Sequence, residues 1–208
     1  MTGTAASAAL RQRISDVLMS DSCQRIDFRW GAYHIDGWAY TAVALSLVGA
    51  HHSLRVSVQH LPAAAEAQYD PDINTIIVPS VNYAAPIVGG VANPDLAFQR
   101  VTIVHECTHA IVDQIRRAPR VLYRSNEVLA QVGGALFNVY EGTPFMPTPG
   151  DIFDLARTIA NNIKNTPGAV IGTAADVQAL ENSIAQNPAY TFLRSRPRTM
   201  VRNSGLPL

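Results

Sequence analysis

The residues best suited to chemistry in this 208-residue chain lie together at His105-Glu106-Cys107-Thr108-His109. Residues four apart on a helix sit about 40° apart around its axis, so His105 and His109 would point both imidazoles at one external position. A zinc ion suits that pair. Glu106 projects about 100° further round, placed to reach a metal-bound water but not to join the ligands. Zinc lowers the pKa of such a water to about 7, and a neighbouring carboxylate can take the proton as the water attacks a polarised carbonyl. Metal-assisted hydrolysis is therefore the expected chemistry, with Glu106 as general base. Cys107 falls about 160° from His109 and reads as a packing residue.

A catalytic zinc needs a third protein ligand and one open position. The metzincin extension would need Gly and His where this chain has Val112 and Ile115. Glu127, in Ser125-Asn126-Glu127 at the expected start of the next helix, is the preferred third ligand, with Asp151 and Asp154 as alternatives beyond a proline-rich stretch. Tyr123, Tyr140, Tyr190 and His60 are candidates for stabilising a tetrahedral oxyanion, because a phenol or a protonated imidazole can donate to it. Tyr123, four residues before Glu127, is placed in the catalytic set with Glu106.

The elements that must position these groups follow from periodicity. Asn93-Pro94-Asp95 supplies an N-cap, a first-turn proline and an early acid, which predicts a helix running towards Arg116 and Arg117 before Pro119. Phe98, Val101 and Val112 share its histidine face, so the helix should be buried and its polar residues paired or coordinated. Ser125 is the expected N-cap of a helix over about 126–140. Leu10, Ile14, Val17 and Leu18 mark a first helix over about 5–20, and two later helices show apolar faces at Ile152, Leu155, Ala156, Ile159 and Ile163 and at Val177, Leu180 and Ile184.

Period-two alternation predicts strands at Ile26–Trp30 and Leu54–Gln59. Tyr40–Val48 is apolar without a clear period and stays ambiguous between hairpin and helix. Tyr69-Asp70-Pro71-Asp72 reads as a turn, and Ile73–Val78, stopped by Pro79, as a strand at a sheet edge. The domain reading is a core over 1–141, a Pro-rich connection over 142–150 and a helical part over 151–208 whose end carries Arg194, Arg196, Arg198 and Arg202 with no acid. That tail reads as a solvated tail or an interface edge, with anion binding as the alternative.

Sixteen basic residues balance sixteen acidic ones, so no global field draws in nucleic acid or an anionic membrane. The uncharged run Gly37–Ala50 is shorter than the about 20 apolar residues that cross a bilayer. No basic segment followed by an apolar one opens the chain, so the default expectation is a cytoplasmic protein, with export by another route left open. Two cysteines, Cys23 and Cys107, make no metal or redox pair and are expected to be reduced.

His105-Glu106-Cys107-Thr108-His109-Ala110-Ile111-Val112-Asp113 resembles the active-site helix of the gluzincin, thermolysin-like, zinc metallopeptidases, and Asn126-Glu127 is similar to their Asn-Glu pair. The resemblance covers Ile103 to Gln131. It implies His105, His109 and Glu127 as zinc ligands, Glu106 as base and Asn126 orienting His109. It further implies an α+β, zincin-like fold with a small mixed or antiparallel sheet packed on the active-site helix, a helical C-terminal part and one zinc per chain. Ile73–Val78 stands where that group has its substrate-pairing edge strand. Where the family has an acid one turn after the glutamate ligand this chain has Gln131, which carries no charge. The family's large histidine-bearing C-terminal domain finds no obvious counterpart in the 81 residues after Glu127.

The resulting expectation is a zinc-dependent peptidase acting on an extended peptide or protein. A zinc-binding module of the same fold without turnover is the alternative, and an exported effector is a third reading within the same site.

Overall fold

A computed structural model describes residues 4–5, 7–49, 53–61, 66–85, 94–114, 122–142, 150–171 and 175–190. The architecture is α+β with a helical majority. β1 (Thr4–Ala5), α1 (Ala8–Leu18), α2 (Asp21–Gln24), β2 (Asp27–Trp30), β3 (Tyr33–Asp36) and α3 (Gly37–Val48) come first. β4 (Arg55–Val58), β5 (Gln68–Asp70), β6 (Thr75–Val78), α4 (Pro94–Gln114) and α5 (Tyr123–Glu141) follow. α6 (Ile152–Ile163), β7 (Ala169–Val170) and α7 (Ala175–Gln186) complete the order, with a 3-10 turn at Pro188–Tyr190.

Local chemistry explains most boundaries. Ser7 caps α1 by accepting from the Leu10 N–H, and Asp36 caps α3 by accepting from the Ala39 N–H at 2.8 Å. The ambiguous apolar stretch therefore belongs to a helix. Its period is masked because Trp38 and Leu45, on the outside of α3, are apolar too, 77% and 58% exposed. Ser125 lies inside α5 rather than capping it. The helix begins at Tyr123, after Leu122, with no side-chain cap, and Tyr123 packs on the core. The expected cap Asn93, the expected helix end near Arg116 to Pro119, most of the 142–150 connection and the arginine-bearing tail lie outside the described residues.

The described strands form two small mixed sheets instead of one. β1-β4-β6-β5 has β4 and β6 parallel and its outer pairs antiparallel. β3-β2-β7 joins an antiparallel hairpin to β7, which arrives after α6 and runs parallel to β2. The edge-strand expectation for Ile73–Val78 is corrected. β6 lies between β4 and β5, and all four of its residues are buried. Pro79 follows the last paired residue, so its missing N–H costs the ladder nothing and is no mark of an edge. The edge beside β6 is β5, whose Tyr69 and Asp70 come from the stretch read as a turn, with the reversal itself at residues 71–74.

One apolar cluster runs from Leu10 and Ile14 of α1 through Val104 and Ile111 of α4 and Leu129 and Phe137 of α5 to Ile159 of α6 and Leu180 of α7. Among the described residues no helix is long and apolar enough to cross a membrane.

Candidate metal centre

α4 is the helix that the motif required, and it is buried along most of its second half. His105 and His109 emerge one turn apart, their ring centroids 4.8 Å apart and nearly perpendicular. α5 packs more extensively on α4 than on any other element. Glycines permit that approach. A Cβ at Gly133 would lie 2.7 Å from both Thr108 Oγ1 and Tyr40 OH, and one at Gly134 would lie 3.3 Å from Val101 Cγ1. The close crossing brings Glu127, near the start of α5, against both histidines.

The donor atoms converge. His105 Nε2 and His109 Nε2 stand 3.2 Å apart, and each has a different Glu127 oxygen 3.6 Å away. A tetrahedral ion held at about 2.0–2.1 Å separates its ligand atoms by about 3.3–3.4 Å, close to this triangle. His109 and Glu127 are 8% and 5% exposed, and Glu127 Oε2 is buried with no hydrogen-bond partner. Two imidazoles and a carboxylate gathered out of water need a shared cation or protons between them. His105, His109 and Glu127 thus form a group that could hold a metal ion, as the spacing and Glu127's position led us to expect.

The electrostatics agree. Burial lowers the His105 pKa, but the close Glu127 carboxylate and the Glu106 charge outweigh it, so the net direction is upward. Burial raises the Glu127 pKa, but His109 and His105 reverse that and hold it below the ordinary carboxylate value.

Glu106 sits beside the group, with Oε1 4.0 Å from His105 Nε2. Its other oxygen, Oε2, accepts from the backbone N–H of Tyr69 at 2.6 Å. Tyr69 belongs to the edge strand β5, and this N–H points out of the sheet towards α4. Sequence reasoning missed Tyr69. It lies in an Asp-Pro turn signature, 37 residues before Glu106, and nothing local marks it as a neighbour of the helix.

The remaining expectations divide. Asp151 and Asp154 are engaged at the start of α6, Asp151 Oδ1 accepting from the Asp154 N–H and Asp154 Oδ2 from the Gly150 N–H, and neither joins the group. Tyr123 opens α5 one turn before Glu127, partly buried. Tyr140 is on the same helix about 20 Å further along. Its hydroxyl donates to the Lys164 carbonyl beside a cleft of about 410 Å³ lined by Arg25, Asp27 and Lys164. His60 is exposed beyond β4.

Tyr190 comes close by another route. Gln131, one turn after Glu127, donates from Nε2 to the Tyr190 hydroxyl at 2.9 Å. Burial, then the Glu127 charge, raise the Tyr190 pKa well above the ordinary phenol value. Asn126 does not orient His109: Asn126 Oδ1 and His109 Nδ1 are both buried without a hydrogen-bond partner. Cys107 is fully buried in the core, its thiol pKa pushed up by burial.

Comparisons with family models, with curated proteins and with solved structures each return no match.

Proposed function

We propose that this chain is a zinc-dependent peptidase of zincin-like fold, akin to the gluzincins, with His105, His109 and Glu127 as metal ligands and Glu106 as general base. The observation that carries the reading is a three-donor group with a carboxylate beside it, one of whose oxygens is already fixed by a main-chain N–H. Zinc, when bound, supplies a Lewis acid for the scissile carbonyl and lowers the pKa of the attacking water.

The chain's own residues supply the rest. Glu106, pinned through Oε2, presents Oε1 towards the ligand group, where it takes a proton from the attacking water and returns it to the departing amine nitrogen. The new C–O bond forms first, giving a tetrahedral carbon, and the C–N bond breaks as its nitrogen takes the proton, so the peptide leaves as a carboxylic acid and an amine. The phenols of Tyr123 and Tyr190 lie one turn either side of Glu127, Tyr190 through Gln131, and each is proposed as a donor to the tetrahedral oxygen. Tyr190 is the better supported, because the carboxylate charges and burial keep its proton in place. Ile73–Val78 is paired on both sides and is not proposed as the docking strand, and the outward N–H of β5 is already held by Glu106 Oε2.

Metal content by elemental mass spectrometry and cleavage of a quenched-fluorescence peptide library test the reading together. Wild type and Glu106→Gln are expected to hold about one zinc per chain, and His109→Ala and Glu127→Ala to lose it. Cleavage by wild type should vanish in Glu106→Gln and fall in Tyr190→Phe with its zinc retained. Zinc binding without cleavage would favour the non-catalytic module, and full activity in Glu106→Gln would overturn the base assignment.

A further inference from the structure

Tyr69 bonds α4 at two separate points. Its backbone N–H donates to Glu106 Oε2 at 2.6 Å, and its hydroxyl lies 2.8 Å from Asp113 Oδ2. Glu106 and Asp113 are seven residues apart, on one face of the helix and about 10 Å apart along its axis. The tyrosine therefore lies along two turns of α4. The hydroxyl has a single proton, shared between two acceptors, Asp113 Oδ2 and Asn74 Oδ1, the latter 2.9 Å away at the far end of its own hairpin. Asn74 holds a left-handed conformation there, φ 48°, and its amide donates to the Ser53 carbonyl ahead of β4. The phenol is thus tied to the helix and to the sheet together.

β5 needs such an anchor. It is three residues long and, among the described residues, pairs only with β6. In an antiparallel pair a residue whose N–H points outward also points its C=O outward, so Tyr69 has no main-chain bond to β6. Only Gln68 and Asp70 can make those. Without its side-chain bonds, the amide that fixes Glu106 would ride on a short, weakly paired edge.

We propose that Tyr69 is a positioning residue for the general base: its hydroxyl, held by Asp113 and Asn74, keeps the β5 edge where its own N–H fixes one oxygen of Glu106. This rests on the reading of Glu106 as base. Burial and the Asp113 carboxylate raise the phenol pKa far above its usual value, so the hydroxyl keeps its proton wherever the fold persists. Tyr69→Phe keeps the ring and its packing and removes only the oxygen. Misplacing a catalytic group by about 1 Å costs on the order of 100-fold in rate. Tyr69→Phe should accordingly lower kcat by about 10- to 100-fold on the quenched-fluorescence library, with KM within about twofold and zinc content unchanged.

Amide hydrogen exchange, read by NMR, supplies an answer that does not depend on turnover. The amide at position 69 should exchange about tenfold faster in Tyr69→Phe and in Glu106→Ala than in wild type. The double variant should exchange no faster than the quicker single, and the β6 amides should be unchanged in all three. Asp113→Asn, which loses charge but keeps an acceptor oxygen, should fall between wild type and Tyr69→Phe in both readouts. It remains decisive if Tyr69→Phe fails to fold.

Wild-type kcat and wild-type exchange in Tyr69→Phe would overturn the proposal. So would a fall in kcat accompanied by loss of zinc, which would mark a general structural role. If wild type cleaves nothing in the library, the peptidase reading fails on its own, and additive exchange effects of Tyr69→Phe and Glu106→Ala would separately refute the positioning role.

Discussion

Replacing Gly133 by alanine should loosen the helix crossing that assembles the metal group. In the native arrangement Thr108 Oγ1 donates to the Val104 carbonyl at 2.8 Å, and Tyr40 OH lies 2.6 Å from Thr108 Oγ1. A threonine hydroxyl has one proton, already used on Val104, so Tyr40 is the donor to Thr108. Both side chains are fully buried, and a methyl on residue 133 would stand 2.7 Å from each oxygen. Alanine favours the helix over glycine by about 1 kcal/mol. Against that, overpacking costs about 1–3 kcal/mol, and parting the two hydroxyls leaves a buried group unmatched at a further ~1–3 kcal/mol. A net loss of about 1–5 kcal/mol follows, and for a chain of this size each kcal/mol lowers Tm by about 2–4 °C.

The effect should reach the metal, because Thr108 precedes His109 and any shift that relieves the clash carries the imidazole with it. Gly134→Ala is the control: its nearest atoms, on Val101, are 3.3 Å away and a small adjustment accommodates them. Calorimetry with a chelator competition for zinc decides the matter. Gly133→Ala should melt lower and bind zinc more weakly than Gly134→Ala, and adding Tyr40→Phe, which removes one clashing oxygen, should cost less than the sum of the single changes. A Gly133→Ala protein with wild-type Tm and zinc affinity would refute the reasoning.

Two further outcomes follow from the same packing. Arg100, near the start of α4, makes a two-pronged ion pair with Glu141 at the end of α5, with both side chains less than one-fifth exposed. Arg100→Ala and Glu141→Ala should each cost about 2–4 kcal/mol in urea unfolding, with the double variant well short of the sum; additive losses would contradict the pairing. Burial raises the phenol pKa of Tyr40, Tyr69, Tyr83 and Tyr190. A raised folded-state pKa favours the protonated form, so stability is intact below the unfolded phenol value of about 10 and declines as pH rises beyond it. Tyrosinate absorbance at 295 nm should therefore appear for these four only as circular dichroism collapses, whereas reversible ionisation of all seven tyrosines near pH 10 in an intact fold would contradict their burial.

Helices were readable wherever burial was one-sided. The apolar faces of α1, α6 and α7 match the residues they bury, among them Leu10 and Ile14, Ile152 and Ile159, and Val177 and Leu180. Reading failed where an outward face was also apolar, as at Trp38 and Leu45 of α3. β6 is likewise not legible in the sequence, because a proline just beyond the last paired residue mimics the mark of an edge. The pairing of β7 with β2 had no local signature, since its two residues are ordered by a strand far away in sequence.

The site divides along the same line. His105, Glu106 and His109 owe their relative placement to the pitch of one helix, a local property written in their spacing, and the sequence alone determined it. Glu127 was an inference from chain length and resemblance until the α4–α5 crossing, permitted by Gly133 and Gly134, placed its carboxylate 3.6 Å from each imidazole. The Tyr69 N–H on Glu106 and the Gln131 amide on Tyr190 were decided wholly by tertiary structure. Contacts across 37 and 59 residues depend on strand register and helix crossing, and these emerge only when the whole core packs at once.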